Sequence, residues 1–322
     1  MKEVVLEREG HLVSRDADRP TRAAEEVLLR MHRVGVCGTD FHAFHGRQPF
    51  FTYPRIMGHE MAGEIVEVPS NDRGLSVGDR CTVEPYLNCR KCAPCQRGHY
   101  NNCEDIRVMG VHTDGGMREF VSVALEHVYK SSVLSYDQLA IVEPLSIGAQ
   151  AVMRCGLKAG ELVVVVGAGP IGVAITQIAL TLGARVKAIE TSASRRARLE
   201  LLGVEVVTDS DDASADVVID ATGNPESMAR AFARARYGGR VVWVGIVRAA
   251  VPVDDPLFHH RELTLYASRN SAGHFPQIIE MLENGLINSS IWITQRLALD
   301  DVPRRFEEVT RHQGLKTIVD VN

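Results

Sequence analysis

The 322-residue sequence predicts an α/β fold in which a mostly-β domain is followed by a doubly wound parallel sheet. Short alternating segments and frequent glycines fill the chain to about residue 139, which is typical of strands joined by turns. From Glu143 onward, apolar strand-like runs alternate with helical patterns, as in parallel βαβ units. The length also suits two domains.

The elements can be assigned in order from hydrophobic periodicity. In the first half we predict strands at 27–31, 63–68, 80–83 and 119–123. The second half is predicted to begin with a helix at 146–155, a strand at 162–166 and a helix at 170–182. Further strands are predicted at 185–189, 204–207, 217–220, 241–244 and 263–265, with helices at 193–202, 225–236 and 275–284. We expect residues 1–146 and 271–322 to form the first domain and residues 147–270 the second.

Composition and charge favour a small-molecule partner. The formal net charge is −5 and no long basic run is present, which gives no electrostatic reason to expect nucleic acid or an anionic membrane surface. The longest apolar run, 162–166, ends at Gly167 and is far too short to span a membrane, and residues 1–10 lack the pattern of a secretory signal.

Four of the seven cysteines lie within fifteen residues, which favours a metal site in a reducing compartment. The sequence therefore predicts a cytoplasmic protein.

A glycine-rich loop predicts dinucleotide binding. The segment Gly167-Ala168-Gly169-Pro170-Ile171-Gly172 matches G-x-G-x-x-G, follows the apolar strand and opens a helical pattern. The first glycine permits a tight turn, the second lets the backbone approach a pyrophosphate, and the third allows close helix packing. The alternative is a glycine turn in an α/β protein of another kind.

The residues after the next strands refine this prediction. Glu190, eighteen residues beyond Gly172, is placed to accept hydrogen bonds from an adenosine ribose and would repel a 2′-phosphate, so NAD is preferred. Arg195 and Arg196 nearby keep NADP open as a second cofactor. Val244 and Gly245 end a later strand, where ligands of parallel sheets gather, although ordinary strand-to-loop turns explain them equally well.

A cluster of four cysteines predicts a structural zinc site. Four thiolates from one loop close a tetrahedral shell and leave no position for a substrate, so such a site stiffens its loop. An iron–sulfur cluster is the alternative, but the sequence has no second cysteine set and a nicotinamide site needs no one-electron partner. The four residues are Cys89, Cys92, Cys95 and Cys103.

A second set of residues has the donor types of a catalytic zinc. Cys37, His59 and Glu60, with Glu143 much later, combine a thiolate, an imidazole and carboxylates, a mixed shell that leaves room for a substrate. Taken singly, Cys37 is better explained as a buried apolar residue and His59 as a satisfied core histidine, and only the combination with outside support favours a metal site. Cys81 and Cys155 lack metal-like neighbours and are interpreted as packing residues.

Together these motifs resemble the zinc-dependent medium-chain alcohol dehydrogenases, in the branch of the sorbitol and threonine dehydrogenases. The resemblance covers nearly the whole chain. Three further segments, 48–55, 110–116 and 268–270, resemble bacterial members that act on sugar acids. The motifs that carry the family resemblance are 36–40, 58–60, 77–80, the four-cysteine segment, 142–146 and 167–172.

The resemblance implies a GroES-like zinc-binding catalytic domain joined to a Rossmann NAD(P)-binding domain. It places Cys37, His59 and Glu60 on a catalytic zinc, with Glu143 reaching that zinc directly or through water. The four-cysteine segment would hold a structural zinc, giving two zinc ions per subunit. Residues 208–216 are short for the family, and we expect no helix between the strands on either side.

The resemblance also implies roles in proton transfer and cofactor binding. Thr39 stands where the family keeps the hydroxyl that takes the substrate proton, and His42 where a relay histidine passes it towards solvent. Glu190 and Arg195 match contacts to the coenzyme ribose, and Arg269 lies at the nicotinamide end. One departure is Ala43, which replaces an aromatic residue that sorbitol dehydrogenases place beside the substrate.

We therefore predict an oxidoreductase that transfers a hydride from a secondary hydroxyl of a sugar acid or polyol to NAD. Candidates for binding the substrate carboxylate or hydroxyls are Arg47, His112, Arg269 and Asn270, because a guanidinium can hold a carboxylate through two hydrogen bonds. L-Threonine or a simple alcohol is the alternative substrate, and a non-enzymatic zinc- and NAD-binding sensor is the remote alternative. A homodimer or homotetramer is expected.

Overall fold

The computed structural model describes residues 1–210, 212–311 and 314–322, which divide into two compact units. The first contains Met1–Glu143, Phe275–Asn284 and Trp292–Asn322, and the second contains Pro144–His274 and Gly285–Ile291. These bounds differ from the predicted domains by a few residues near 146 and 270, and by the placement of residues 285–291. That segment belongs to the second unit because the Asn288 amide donates to Gln177 Oε1 (2.6 Å) and Arg198 donates to the Ile291 carbonyl (2.9 Å).

The first unit begins with a run of strands and short helices. In chain order these are β1 (Lys2–Arg8), β2 (His11–Asp16), β3 (Glu26–Val36), α1 (Gly38–Phe44), β4 (Glu60–Glu67), β5 (Arg80–Val83), β6 (Tyr86–Leu87), α2 (Ala93–Gln96), β7 (Arg107–Val108), β8 (Phe120–Ala124), β9 (Val128–Lys130) and α3 (Tyr136–Ala140).

The second unit is built around a parallel sheet. The elements from α4 onward are α4 (Val142–Arg154), β10 (Leu162–Val166), α5 (Pro170–Thr181), β11 (Arg185–Ile189), α6 (Ala193–Glu200), β12 (Glu205–Val207), β13 (Ala215–Asp220), α7 (Pro225–Arg234), β14 (Ala235–Trp243), α8 (Asp255–His260) and β15 (Thr264–Ala267). The strands pair in parallel in the order β12-β11-β10-β13-β14-β15. The order reverses between β10 and β13, and at such a switch point the carboxyl ends of the strands leave a crevice for a ligand.

The first unit is completed by elements from the last fifty residues. These are α9 (Phe275–Glu283), β16 (Ile293–Ala298), α10 (Val302–Thr310) and β17 (Lys316–Asp320). β17 pairs in parallel with β16 and antiparallel with β3, so the sheet runs β16-β17-β3-β4-β5-β9, with β8 also paired to β3. Two small two-stranded antiparallel sheets, β1-β2 and β6-β7, lie outside this sheet.

Each unit has its own hydrophobic core. In the first, fully buried Leu29, Met31 and Ile65 from the central strands pack in one cluster with Phe306 of α10. In the second, the inner strands pack against Phe232 of α7. These are the apolar runs that the sequence marks as strands, which is why β5, β10 and β11 have the predicted bounds.

The predicted fold class, a mostly-β part followed by a parallel α/β sheet, is confirmed. The described residues between β12 and β13 carry no helix, in agreement with the prediction for this short stretch. β14 begins at Ala235, six residues earlier than the predicted strand at 241–244.

Within the part of the chain that the structure describes, none of the helices combines the length and apolar character that a bilayer crossing requires.

Candidate functional site

Cys37 stands at the junction of the central strand β3 with helix α1. Its backbone is extended (φ −109°, ψ 160°), and the helix begins at the next residue. The buried Asp40 carboxylate accepts a hydrogen bond from the Cys37 amide (2.8 Å), which fixes the first turn. Thr39, half-buried, and His42, exposed, lie on the same short helix. The start of α1 therefore places the Cys37 thiol and the Thr39 hydroxyl two residues apart.

His59 and Glu60 enter the site from the start of β4. Gly58 precedes them in the left-handed region (φ +94°), where a glycine is favoured. Glu60 lies opposite Gly35 in the β3-β4 pairing. A Cβ atom on residue 35 would fall 1.9 Å from Glu60 Oε2, so the missing side chain at Gly35 makes room for this carboxylate.

These three side chains form one compact donor set. The ligand atoms of Cys37, His59 and Glu60 lie within 4.8 Å of one another. Cys37 is half-buried, whereas His59 and Glu60 are buried. Glu60 Oε2 is a buried oxygen without a hydrogen-bond partner among the described residues. A thiol, an imidazole and a carboxylate around an unsatisfied buried oxygen fit a zinc ion, because the metal would satisfy that oxygen.

Lys316 on β17 supplies the buried countercharge to Glu60. Its Nζ lies 2.5 Å from Glu60 Oε1 and donates to the Val36 carbonyl (3.1 Å). Burial acts to lower the pKa of Lys316, but the negative charges of Glu60 and Cys37 outweigh it and raise the pKa. Sequence reasoning missed this residue because no motif links it to Glu60, 256 positions away.

Two further buried groups that sequence reasoning missed lie next to the predicted residues. The Asp40 carboxylate faces the His59 ring, with Oδ1 3.9 Å from Nδ1. The Tyr86 hydroxyl donates to Glu143 Oε1, and both side chains are buried. Burial is the main reason that the pKa of Glu143 is raised to about 7. Among the described residues, the compact donor set stops at its three members and does not include Glu143.

His42 lies in a locally positive environment. Partial burial lowers the pKa of His42, and the positive charges of Arg47 and His45 lower it further. The Arg47 amide donates to the His42 carbonyl (2.7 Å), which keeps the two residues close in the turn after α1. His42 is therefore neutral at physiological pH and able to accept a proton.

His112 lies on a loop that packs against the segment carrying His59. Its Nδ1 accepts a hydrogen bond from the Val108 amide (3.0 Å), and its ring stacks 6.1 Å from the exposed Phe50 ring. The same loop is tied down through the Gly116 amide, which donates to the Gly58 carbonyl (2.8 Å). His112 and Arg47 thus belong to the first unit, whereas the other predicted substrate residues, Arg269 and Asn270, follow β15 of the second unit.

The four-cysteine segment forms the second donor set, around helix α2. The sulfur atoms lie within 4.8 Å of one another, and all four thiols are free of disulfides. Backbone amides of Lys91 and Cys92 donate to the Cys89 sulfur and lower its pKa to about 6, which favours the thiolate. The members are Cys89, Cys92, Cys95 and Cys103, and four sulfur donors of this kind fit a structural zinc.

Cys81 and Cys155 lie outside both donor sets. Each is buried and donates to a backbone carbonyl, Cys81 to Gly63 (3.4 Å) and Cys155 to Val152 (3.2 Å). Burial raises the pKa of Cys155 to about 11, so its thiol stays protonated. Both behave as packing residues, as predicted.

The glycine loop of the second unit has the shape that a pyrophosphate needs. Gly167 follows β10 with φ +93°, and a Cβ atom on Gly172 would lie 1.8 Å from the Gly167 carbonyl oxygen. A Cβ atom on Gly169 would meet nothing within 4 Å, so the loop is open at this position. Pro170 and Ile171 begin α5, and the unpaired amide N–H groups at a helix N-terminus favour an anion such as a pyrophosphate. The loop therefore fits a dinucleotide.

The other predicted cofactor residues follow the strands next to this loop. Glu190 comes directly after β11 and accepts hydrogen bonds from the Ala168 and Ser192 amides, both at 2.7 Å. Arg195 lies on α6, and Val244 and Gly245 follow β14. Because the carboxyl ends of parallel strands share one edge of a sheet, these residues lie at the same edge as the glycine loop.

Comparison with known protein families assigns both units. Residues 23–133 match the model of the alcohol dehydrogenase GroES-like domain, and residues 170–284 match that of the zinc-binding dehydrogenases. L-Galactonate-5-dehydrogenase of Escherichia coli K12 is 37% identical over 95% of this chain and 94% of its own length. This chain belongs to the zinc-dependent medium-chain alcohol dehydrogenases. Family membership makes it an oxidoreductase that acts on CH–OH donors.

Further members of the alcohol dehydrogenase family support the assignment. Sorbitol dehydrogenase of Bacillus subtilis is 29% identical over 92% of this chain and 90% of its own. The crystal structure of the alcohol dehydrogenase rspB from E. coli CFT073 with NADH has a TM-score of 0.93 at 27% identity and covers 100% and 99% of the two chains. The crystal structure of a zinc-binding dehydrogenase from Sinorhizobium meliloti 1021 bound to NADP has a TM-score of 0.94 at 29% identity, and the match covers 99% of each chain. Sugar-acid and polyol dehydrogenases are thus among the relatives, and zinc and a nicotinamide cofactor fit this chain.

Proposed function

We propose that this protein oxidises a secondary hydroxyl of a sugar acid, an aldonate of the L-galactonate type, or of a polyol, with NAD as hydride acceptor. The observation that carries the proposal is the compact Cys37, His59 and Glu60 set with its unsatisfied buried carboxylate oxygen. The E. coli relative named for L-galactonate supports the sugar acid. Ala43 is small and buried where sorbitol dehydrogenases carry an aromatic residue, which argues against plain sorbitol.

In this proposal each subunit holds two zinc ions. Cys37, His59 and Glu60 hold the catalytic ion, with Glu143 reaching it directly or through water, and the four cysteines of the α2 segment hold the structural ion. Bound zinc supplies a Lewis acid that lowers the pKa of a substrate hydroxyl, and NAD supplies the hydride acceptor. Lys316 keeps the buried charge of Glu60 compensated.

The chain's own residues then move the proton. Thr39 Oγ1 accepts the proton of the substrate hydroxyl as it releases its own hydroxyl proton, and His42, through Nδ1 or Nε2, takes up a proton and passes it towards solvent. His42 suits this role because it is exposed and its lowered pKa keeps the ring neutral at physiological pH.

Cofactor binding is assigned to the edge of the parallel sheet. The loop of Gly167, Gly169 and Gly172, with Pro170 and Ile171, holds the pyrophosphate. The Glu190 carboxylate faces the adenosine ribose and disfavours a 2′-phosphate, so we propose NAD rather than NADP. The remaining cofactor contacts are assigned to Arg195, Val244, Gly245 and Arg269.

Substrate recognition is assigned to four polar residues. Arg47, His112, Arg269 and Asn270 are the candidates for binding the carboxylate and hydroxyls of a sugar acid. We further propose a cytoplasmic homodimer or homotetramer. L-Threonine and simple alcohols are the competing substrates, whereas a non-enzymatic sensor is not retained, because the family is one of enzymes.

The test is reduction of NAD, and in parallel NADP, by zinc-loaded protein with aldonates, polyols, L-threonine and simple alcohols, with chelator-treated protein as control. We expect a chelator-sensitive signal that is confined to one or two sugar acids or polyols and is stronger with NAD. Activity with L-threonine alone, or activity that survives metal removal, would overturn the proposal.

A further inference from the structure

Asp220 is a buried carboxylate at the carboxyl end of strand β13. The residue is 0% exposed, and both carboxylate oxygens accept hydrogen bonds from the chain that follows. Oδ1 accepts from the amide (2.9 Å) and the hydroxyl (2.6 Å) of Thr222, and Oδ2 accepts from the Ser227 hydroxyl (2.6 Å). The Thr222 hydroxyl oxygen in turn accepts from the Asn224 amide (3.1 Å). Asp220 therefore holds the turn of residues 221–224 in one conformation.

The 221–224 turn packs against the glycine loop. A Cβ atom on Gly167 would lie 3.0 Å from Thr222 Cγ2, so Thr222 fills the space that a side chain at residue 167 would need. A Cβ atom on Gly245 would lie 2.5 Å from the Cα atom of Gly223. The turns that follow β10, β13 and β14 are thus packed side by side at one edge of the parallel sheet. A displacement of the middle turn would reach both of its neighbours.

The strand order relates the 221–224 turn to one half of a dinucleotide. In the proposed cofactor site, the pyrophosphate lies at the glycine loop after β10 and the adenosine ribose lies at Glu190 after β11. β13 and β14 lie on the opposite side of β10 from β11. The half of the cofactor that carries the nicotinamide therefore extends over the ends of β13 and β14. The 221–224 turn belongs to that half of the site.

We propose that Asp220 is a positioning residue for the nicotinamide half of the cofactor, and that it acts through the 221–224 turn. This inference rests on the proposed cofactor site. A turn that is already held in its binding conformation does not have to be ordered when the ligand binds. Because Asp220 is buried, water does not readily replace it as the acceptor for three donors. Loss of the carboxylate should therefore loosen this turn and leave the Glu190 side of the sheet intact.

Two ligands separate the halves of the site. ADP contains the adenosine and the pyrophosphate but no nicotinamide, whereas NADH contains all three groups. We expect Asp220→Ala to weaken NADH binding by about tenfold or more and to change ADP binding by less than about twofold. Isothermal titration calorimetry of the full zinc-loaded chain measures both affinities. A general loss of structure would weaken both ligands alike.

Asp216 provides a matched control at the other end of the same strand. Its carboxylate accepts a hydrogen bond from the Leu162 amide (2.7 Å) and pairs with Arg236, but it lies at the amino end of β13, away from the ligand edge. Asp216→Ala should lower the melting temperature, as Asp220→Ala does. Its NADH affinity should nevertheless stay within about twofold of that of the wild type.

Two further variants test the hydrogen bonds themselves. Ser227→Ala removes one of the three donors and should weaken NADH binding by a smaller factor, about threefold. Asp220→Asn keeps an oxygen that accepts from Thr222, and its amide group can donate to the Ser227 hydroxyl oxygen. This variant should therefore keep its NADH affinity within about threefold of that of the wild type.

Each outcome has one meaning. Unchanged NADH affinity in Asp220→Ala overturns the inference, and so does an equal loss of ADP affinity. NADH binding that is as weak in Asp216→Ala or in Asp220→Asn as in Asp220→Ala also overturns it. If Asp220→Ala does not fold, unchanged NADH affinity in Ser227→Ala overturns the inference instead. A wild type that binds neither NADH nor ADP would show that the proposed cofactor site itself fails.

Discussion

At the scale of single residues, the absence of a side chain at Gly35 matters as much as the donors themselves. A methyl group there would lie 1.9 Å from Glu60 Oε2, far inside van der Waals contact. We predict that Gly35→Ala displaces Glu60 and weakens zinc binding by about tenfold or more, measured by competition with a chelator. Gly38→Ala is the control, since its Cβ atom would meet nothing within 4 Å. Wild-type zinc affinity in Gly35→Ala would contradict the prediction.

A second prediction concerns the charge next to His42. Arg47 lowers the pKa of His42 because its positive charge disfavours protonation of the ring. The substitution Arg47→Met removes this positive charge and should therefore raise the pKa of His42. Proton acceptance needs the neutral ring, so the pH below which kcat for alcohol oxidation falls should move upward by several tenths of a pH unit to about one unit. The exposed Arg107, in Arg107→Met, provides the control; a shift in both variants or in neither would refute the role of Arg47.

The site residues that could be predicted from sequence are those that carry a motif. Cys37, His59 and the glycine loop stand in recognisable spacings. Tyr86 and Lys316 do not, because an isolated tyrosine or lysine in a strand has no spacing that marks it. Their roles depend on strand pairings that bring distant segments together, such as that of β17 with β3.

At the scale of elements, the four-cysteine segment around α2 and the catalytic donor set share no residue. A substitution in one set should therefore remove its zinc and leave the other zinc in place. We predict that the wild type contains two zinc ions per chain and that Cys95→Ser contains one, because a thiolate is removed from the four-sulfur set. Cys155→Ala should retain both ions, since Cys155 only packs in the second unit. Elemental analysis of the purified variants provides the measurement. Two zinc ions in Cys95→Ser would show that this cysteine is not a ligand.

Helices and strands were predictable where one apolar pattern decides them. β10 and β11 are short apolar runs between glycine turns, and their bounds match the sequence prediction. β14 was predicted too short because Gly238 and Gly239 indicate a turn, whereas Ala235 already pairs with Ala215 of β13. The start of β14 is therefore set by its pairing with β13 and not by the two glycines. The sequence of a single segment does not show such a pairing.

At the scale of the whole molecule, the chain leaves the first unit after Glu143 and returns to it at Phe275. The parallel sheet of the second unit has the strand order of a dinucleotide-binding fold. It could be predicted because the alternation of strands and helices leaves few arrangements open. The first sheet was harder to predict, because β16 and β17 join it from far along the sequence.

The position of β17 also sets an order of events during synthesis. A ribosome completes the whole parallel sheet, up to Ala267 of β15, before it reaches β17. Multidomain chains usually fold their N-terminal part first as they emerge. Here a nascent chain that stalls before Lys316 carries a finished second sheet, an exposed edge of β3 and a Glu60 without its buried countercharge. The part of the protein that is translated first is therefore the last to mature.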